Sequence, residues 1–179
     1  AIAQRLRGQA TAPAAAPEAS QLTPEQLAQS RAAFDQGMRF YRAGKRDEAL
    51  AAFGQALEIN PGMPKAHDNL GALLASSGRL DEAIEHWKRA LTIAPNLTSA
   101  RLNLGLAMVR KGSFAQAVEL LQTAIGQGVN SADAHCALGI AFQGLGKRDQ
   151  AIEQYKKARA INPGHAMAGQ RLQALQGRG

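Results

Sequence analysis

A phrase of thirty-four residues recurs four times in this chain of 179 residues and constrains its fold more than any other feature. The copies span residues 30–63, 64–97, 98–131 and 132–165. Glycine occupies the eighth and fifteenth positions of every copy, and alanine the twentieth and twenty-seventh. Because about one residue in ten is glycine, one such column arises by chance roughly once in ten thousand. A fixed period of this length predicts stacked copies of one structural unit.

Each copy contains two amphipathic segments that meet at the glycine of position fifteen. In residues 64–97, apolar side chains recur three and four positions apart, first around Leu70 and Leu74 and then around Ile84. This spacing is that of one buried face of a helix. Pro64 suits a first helical turn, and Gly78 separates the two helices. Each copy is therefore predicted to be a helix pair that needs its neighbours to complete a core.

Two kinds of column indicate how the helices pack. The small columns predict close helix contacts that leave no room for a larger side chain. A bulky residue at position twenty-four is predicted to wedge between neighbouring pairs: Phe53, Trp87, Leu121 and Tyr155. Copy three has Val129 where the others close on proline. Its second helix is predicted to end early or fray, and to loosen the packing of copy four.

These offsets resemble those of the tetratricopeptide repeat family, over 136 of the 179 residues. The matching features are a Leu-Gly pair as at Leu70-Gly71, the alanine columns, and a closing proline as at Pro95. Copies differ from the family at position four, where the usual tryptophan is replaced by Ala33, His67, Arg101 and His135. The resemblance implies an all-α, right-handed α-solenoid of antiparallel helix pairs, with the first helix of each pair lining a concave groove.

The segments outside the four copies are predicted to close the two ends. Residues 1–22 are rich in alanine and proline and are interpreted as an extended tail or linker. Thr23 and Gln26 form a capping-box pattern, so the first repeat is predicted to span 23–63 with a lengthened first helix. Residues 166–179 are predicted to form a C-terminal capping helix, with Met167 and Leu172 facing inward.

The resemblance places positions 2, 5, 6, 9, 12 and 13 of each first helix along the groove. The residues selected as partner-binding are Arg31, Met38, Tyr41, Arg42, Lys65, Asn69, Leu102, Asn103, Leu106, Arg110, Ile140 and Gln143. Asn69 and Asn103 share the sixth position, and a carboxamide is both donor and acceptor, so the two can bind the backbone of an extended peptide. The alternative, that asparagine is only a polar filler on an exposed helix face, stays open.

Motifs for catalysis or metal binding are not found in the sequence. Cys136 is the only cysteine and is interpreted as a small residue of a helix face. The histidines are interpreted as packing or surface residues. The sequence has no phosphate-binding loop, dinucleotide fingerprint, zinc-protease motif or nucleophile elbow. We therefore expect no catalytic residue, no cofactor and no metal.

The net charge of +7 is concentrated in the C-terminal half, where Lys147, Arg148, Lys156 and Lys157 lie in turns and second helices. These cations lack interleaved aromatic residues, so nucleic acid is disfavoured against an acidic protein or an anionic membrane surface. The sequence predicts a non-catalytic interaction module, an assembly factor or accessory subunit of a bacterial complex, that binds an extended or helical segment in its groove or through its tail. The alternatives are the substrate-recruiting domain of a larger enzyme, such as a glycosyltransferase, and a secretion chaperone. The tail favours a periplasmic or membrane-associated location over a cytoplasmic one.

Overall fold

The computed structural model describes residues 22–177, and this range folds into nine α-helices without a strand. The helices are α1 Pro24–Arg42, α2 Arg46–Ile59, α3 Pro64–Ser76, α4 Leu80–Ile93, α5 Thr98–Arg110, α6 Phe114–Gly126, α7 Ala132–Gly144, α8 Arg148–Ile161 and α9 Ala166–Gln176. Helices α1 to α8 form four antiparallel pairs, as the repeats predicted, and the all-α solenoid is confirmed. The tail predicted over residues 1–22 lies outside the described range except for its last residue.

The turn within each pair is made by the glycine of position fifteen. Gly44, Gly78, Gly112 and Gly146 all have a positive φ, between 72° and 81°. This left-handed conformation is accessible to glycine without the penalty that a β-carbon imposes. The fifteenth column is therefore a requirement of the backbone and not of packing.

The glycine of position eight has a different reason, which is contact with the bulky residue of position twenty-four. A β-carbon on Gly139 would lie 2.6 Å from the ring of Tyr155, and one on Gly37 would lie 2.7 Å from the ring of Phe53. Tyr155 and Phe53 are fully buried. In each case the glycine and the bulky residue belong to the same helix pair. The bulky side chain thus fills the space within its own pair. The prediction that it wedges between neighbouring pairs is wrong.

The third repeat closes without its proline. Helix α6 ends at Gly126, one residue short of the equivalent helices α2, α4 and α8, so the early end is confirmed. It does not fray, because Gly128 turns the chain with a φ of 99° and the Val129 N–H donates to the Ala124 carbonyl at 3.1 Å. The predicted loosening of repeat four is wrong, since nine residues of α7 are buried.

The two ends of the described range are capped as expected, with one exception. The Thr23 hydroxyl oxygen accepts the Gln26 N–H at 3.1 Å, and the Gln26 side chain accepts the Thr23 N–H at 2.9 Å. Helix α9 buries Ala168 and Leu172 against the last pair. Met167, predicted to face inward, is 51% exposed instead. None of the nine helices of residues 22–177 combines the length and apolar character that crossing a membrane requires.

Candidate functional site

The concave side of the solenoid contains two compartments, which follow each other along the first helices of the pairs. The N-terminal compartment has a volume of about 620 Å³ and lies between α1 and α3, with the start of α5 beside them. The C-terminal compartment has a volume of about 650 Å³ and extends across α3, α5 and α7 to the start of α9. Both are open grooves and not enclosed cavities. A ligand that occupied both would cross every repeat.

The N-terminal compartment is cationic over an apolar floor. Its floor is made by Phe34, Met38 and Leu97. Three basic side chains surround it: Arg39 and Arg42 of α1 and Lys65 of α3. Two carboxylates, Asp35 and Asp68, also reach this compartment. Both oxygens of Asp68 are engaged in hydrogen bonds to neighbouring side chains. Three cations against two carboxylates leave this compartment with a small positive charge, and since Asp68 is already hydrogen-bonded, the basic side chains favour an anionic ligand group.

The C-terminal compartment is mainly aliphatic. Its lining includes Leu80, Leu106, Val109, Ile140 and Met167. Small residues between them keep the surface accessible to an inserted side chain: Ala72, Ala75, Ala107 and Ala137. The lining also includes five polar side chains: Ser76, Asn103, Arg110, Asp133 and His165. Such a surface, apolar with a few polar groups, is typical of sites that bind part of another molecule.

His165 is held in one tautomer at the end of the C-terminal compartment. Its Nδ1 accepts the backbone N–H of Ala168 at 3.2 Å and thereby caps α9. Its Nε2 therefore carries the hydrogen and donates to the Asp133 carboxylate at 3.0 Å. A histidine bound at both nitrogens is fixed in orientation. His165 joins α9 to α7 and presents an ordered edge to the compartment.

A short hydrogen-bond bridge lies where the two compartments meet. The Asp68 carboxylate of α3 accepts the Ser99 hydroxyl at 2.5 Å and an amide N–H of Asn103 at 3.1 Å. Ser99 and Asn103 both belong to α5, so the bridge joins repeats two and three. Asp68 lines the N-terminal compartment and Asn103 the C-terminal one. The two compartments therefore follow each other along one groove, but the first is lined by basic side chains and the second mainly by aliphatic ones.

The two asparagines of position six are both engaged within the protein. Asn69 donates to the Lys65 carbonyl at 2.9 Å and lies 3.5 Å from the sulfur of Met38, while Asn103 donates to Asp68. The Asn69 amide nitrogen donates to both the Lys65 carbonyl and the Met38 sulfur, so its oxygen is left for other partners, whereas Asn103 keeps one N–H and its oxygen. The asparagines line different compartments and so do not form one local pair. Their contact with a peptide backbone remains a prediction. The hydrogen bonds within the protein hold both amides in a fixed orientation.

Eight of the twelve predicted partner-binding residues line the two compartments: Met38, Arg42, Lys65, Asn69, Asn103, Leu106, Arg110 and Ile140. The other four, Arg31, Tyr41, Leu102 and Gln143, do not. The Gln143 oxygen accepts from the Tyr155 hydroxyl at 2.8 Å and from Arg171 at 3.2 Å, so this side chain belongs to the C-terminal packing. Leu102 packs against the core.

The selection missed residues that do not belong to the first helices. Leu80, Leu97, His165 and Met167 reach the groove from helix starts and from the turns between pairs. The repeat pattern could have predicted Leu97 and His165, because each directly precedes a helix that lines the groove. The cysteine prediction holds: Cys136 is 3% exposed, and burial raises the pKa of its thiol.

Comparisons with known proteins agree with this geometry. Three family models, each described as tetratricopeptide repeat, match residues 34–97, 74–139 and 132–165. No curated protein sequence matches the chain.

Several solved structures have a similar fold. MamA, residues 41 to the end, from Desulfovibrio magneticus RS-1 superposes with a TM-score of 0.76 at 22% identity, over 84% of this chain and 85% of that one. Another MamA crystal structure has a TM-score of 0.73 at 28% identity, over 82% and 80%. YrrB, described as a TPR protein with an unusual peptide-binding site, has a TM-score of 0.70 at 24% identity, over 79% and 73%. At such identities, the likeness to YrrB and to the first MamA structure concerns the fold alone.

Proposed function

Because this chain belongs to the tetratricopeptide repeat family, we propose that it is a non-catalytic interaction module that holds an extended segment of a partner protein in its groove. Proteins of this fold are typically interaction modules, and the fold neighbours include a protein described by its peptide-binding site. The observation that carries the proposal is the adjacency of a cationic and an aliphatic compartment along one groove. The partner segment is one in which acidic residues stand next to aliphatic ones.

The charges and apolar surfaces set the direction of the segment relative to the solenoid. Its acidic residues lie near Arg39, Arg42 and Lys65, where they form charge-assisted hydrogen bonds. Its aliphatic side chains enter the C-terminal compartment between Leu106 and Ile140, and their burial supplies most of the affinity. The amides of Asn69 and Asn103 bind the backbone between these anchors.

The dimensions of the groove favour an extended segment over a helical one. Packed helices lie about 8–10 Å apart, so the groove spans about 27 Å from α1 to α7. An extended chain rises about 3.3 Å per residue and crosses this distance with about eight residues. Alternate side chains of an extended segment point the same way, so every second residue faces the groove floor.

The module brings such a partner to a larger assembly, which is the role of an assembly factor or accessory subunit. The groove supplies the specific contact, while the exposed basic residues of α8, and the N-terminal segment by its sequence, offer a second contact with an acidic protein or an anionic surface. MamA, the relative at 28% identity, has the same fold over most of its length. The proposed function uses the groove and needs no chemical step.

The test uses a fluorescein-labelled peptide of ten residues, with two glutamates followed by alternating leucine and serine, and a second peptide in the reversed order. Fluorescence anisotropy with the wild-type chain is expected to show binding by one of the two orders. Replacing the glutamates by glutamine, or the leucines by serine, weakens it by about tenfold or more, which is about 1.4 kcal/mol.

Matched variants of the chain locate the site. Arg42→Ala/Lys65→Ala is expected to weaken binding by about tenfold, and Leu106→Ser by a similar factor, because each removes an anchor of one compartment. Lys156→Ala, an exposed lysine of α8 outside the groove, serves as the control and is expected to change the affinity by less than about twofold. Equal affinity of all these variants would exclude the groove as the binding site.

A further inference from the structure

Two histidines of repeat two form a pair that the groove does not use. His67 of α3 is 3% exposed, and its Nδ1 lies 2.9 Å from the Nδ1 of His86 on α4. The Nε2 of His67 lies 3.1 Å from the carbonyl oxygen of Pro61, in the turn that leads from α2 to α3. The pair therefore connects three pieces of chain at the start of a groove helix.

The Pro61 carbonyl determines where the hydrogens are. A carbonyl oxygen only accepts, so the Nε2 of His67 carries a hydrogen. A neutral His67 then has a bare Nδ1, and the hydrogen between the two rings belongs to the Nδ1 of His86. The remaining nitrogen of His86, its Nε2, accepts from solvent. One arrangement of hydrogens satisfies all the contacts of this pair.

This arrangement limits the number of protons that the closed pair binds. A first additional proton goes to the Nε2 of His86 and leaves the bond between the rings intact. A second would have to go to the Nδ1 of His67, where two N–H groups would face each other across 2.9 Å. That bond cannot persist, so the closed pair binds at most one additional proton. Separated rings bind two, and acid therefore favours the open state.

The surroundings of the pair lower the pKa of both histidines on balance, which also disfavours their protonation in the closed state. Burial lowers the pKa of His67, the hydrogen bond to the Pro61 carbonyl opposes this by raising it, and Arg89 lowers it again, so that the pKa is lowered on balance. Burial lowers the pKa of His86, with added repulsion from His67, Arg89 and Arg79. Glu82 acts in the opposite direction on His86, but both its oxygens are bound by Arg79 at 2.7 Å. These charges come from α4 and its N-cap, while the turn before α3 contributes the Pro61 carbonyl.

Repeat four contains the matching pair with a different second residue. His135 and Gln154 occupy the positions of His67 and His86, and the Nδ1 of His135 lies 2.8 Å from the Gln154 oxygen. A glutamine side chain offers both a donor and an acceptor, so it can bond a neighbouring histidine in either protonation state. Glutamine at this position is compatible with the fold and removes the limit on proton uptake.

We propose that the His67–His86 pair is an acid-sensitive latch, which holds the first turn of α3 closed at neutral pH and loosens it in mild acid. That turn carries Lys65 and is followed by Asp68 and Asn69, which line the N-terminal compartment. Loosening the latch thus reduces the order of that compartment. The effect on partner binding rests on the proposed function, whereas the opening of α3 does not.

Because the closed pair binds one proton fewer than the open pair, the equilibrium shifts toward opening by about tenfold per pH unit below the ordinary histidine pKa of 6.5. Hydrogen exchange measures this opening. Protection factors of the amides of residues 66–70, corrected for intrinsic exchange, are expected to fall by about thirtyfold between pH 6.5 and about pH 5.

His86→Gln is the decisive variant, and it is expected to reduce that fall to less than about threefold. His135→Gln removes the equivalent histidine of repeat four and is the control, which is expected to show the wild-type fall in protection of residues 66–70. An equal loss of protection in wild type and His86→Gln overturns the proposal. A second measurement does not depend on a variant: ¹⁵N ring shifts at neutral pH are expected to show Nε2–H on His67 and Nδ1–H on His86, and the opposite tautomers overturn it as well.

The labelled peptide separates this proposal from the proposed function. Peptide affinity at about pH 7.5, where the latch is closed, tests the groove alone. No binding there, combined with acid-dependent exchange, refutes the function and supports the latch. Binding at that pH with exchange that is independent of acid supports the function and refutes the latch.

Discussion

The same substitution, glycine to alanine, is expected to have opposite effects at two helical positions of this chain. At Gly139 of α7, the added β-carbon would lie 2.6 Å from the ring of Tyr155, which is fully buried. At Gly54, within α2, no atom lies within 4 Å of the added carbon. Gly139→Ala is therefore expected to destabilise the chain and Gly54→Ala to stabilise it.

The magnitudes follow from the contacts. The carbon–carbon distance at Gly139 must grow by about 1 Å to reach ordinary contact, and overpacking of this kind costs about 1–3 kcal/mol. Displacing Tyr155 also weakens its hydroxyl bond to Gln143, a loss of about 1 kcal/mol. Alanine regains about 0.8–1 kcal/mol of helix propensity. The net expectation is a loss of about 1–3 kcal/mol at Gly139, against a gain of about 0.5–1 kcal/mol at Gly54.

Urea unfolding followed by circular dichroism measures both free energies of unfolding, and a double-mutant cycle with Tyr155→Ala isolates the contact. With the ring removed, alanine at 139 is expected to cost at least about 1 kcal/mol less than in the wild-type chain. Stabilisation by Gly139→Ala to the same degree as by Gly54→Ala would show that the glycine column is not explained by steric contact.

Three further predictions concern single groups. Thr23→Ala removes the capping box of α1, and urea unfolding is expected to show a loss of about 1 kcal/mol that Thr23→Ser largely avoids. Burial raises the pKa of Tyr155 to about 12, so the folded state favours the neutral phenol. The resulting contribution to the free energy of unfolding is complete below the ordinary pKa of 10 and is lost as the pH rises toward 12. Tyr155→Phe is expected to flatten this dependence of stability on pH in urea unfolding. Burial likewise raises the pKa of the Cys136 thiol, so its reaction with a thiol reagent at neutral pH is expected to be at least about tenfold slower in the native than in the urea-unfolded chain, and equal rates would contradict its burial.

The sequence predicted the scaffold well because each element of it is repeated. Each of the four pairs begins and ends close to the predicted register, and Gly78 and its equivalents make the turns with positive φ. A local rule applied four times reinforces itself, since an error in one copy is corrected by the others. Val129 shows the limit of this reasoning. A missing proline predicted a loose end, but backbone hydrogen bonds and Gly128 close the helix in another way.

The candidate site was predicted only in part, because its defining contacts join different repeats or different helices. Asp68 and Asn103 are 35 positions apart, and each looks like an ordinary polar residue of a helix face. His67 and His86 are 19 positions apart, whereas a search for ligand spacing within one helix covers three or four. Their contact depends on how two antiparallel helices are aligned, and the hydrophobic period does not determine that alignment for polar residues.

The differences between the copies are more informative about function than their agreement. Positions that agree, such as the glycine and alanine columns, are explained by turns and packing and say nothing about a ligand. Position five, by contrast, differs in every copy. Phe34 forms part of an apolar floor and Asp68 is the bridging carboxylate, whereas Leu102 packs against the core and Cys136 is a buried thiol. At positions four and twenty-three, two copies carry a polar pair, and only repeat two carries two histidines. Since a repeat needs no such variation to fold, we infer that the division of the groove and the histidine pair serve the binding of a partner and its dependence on pH.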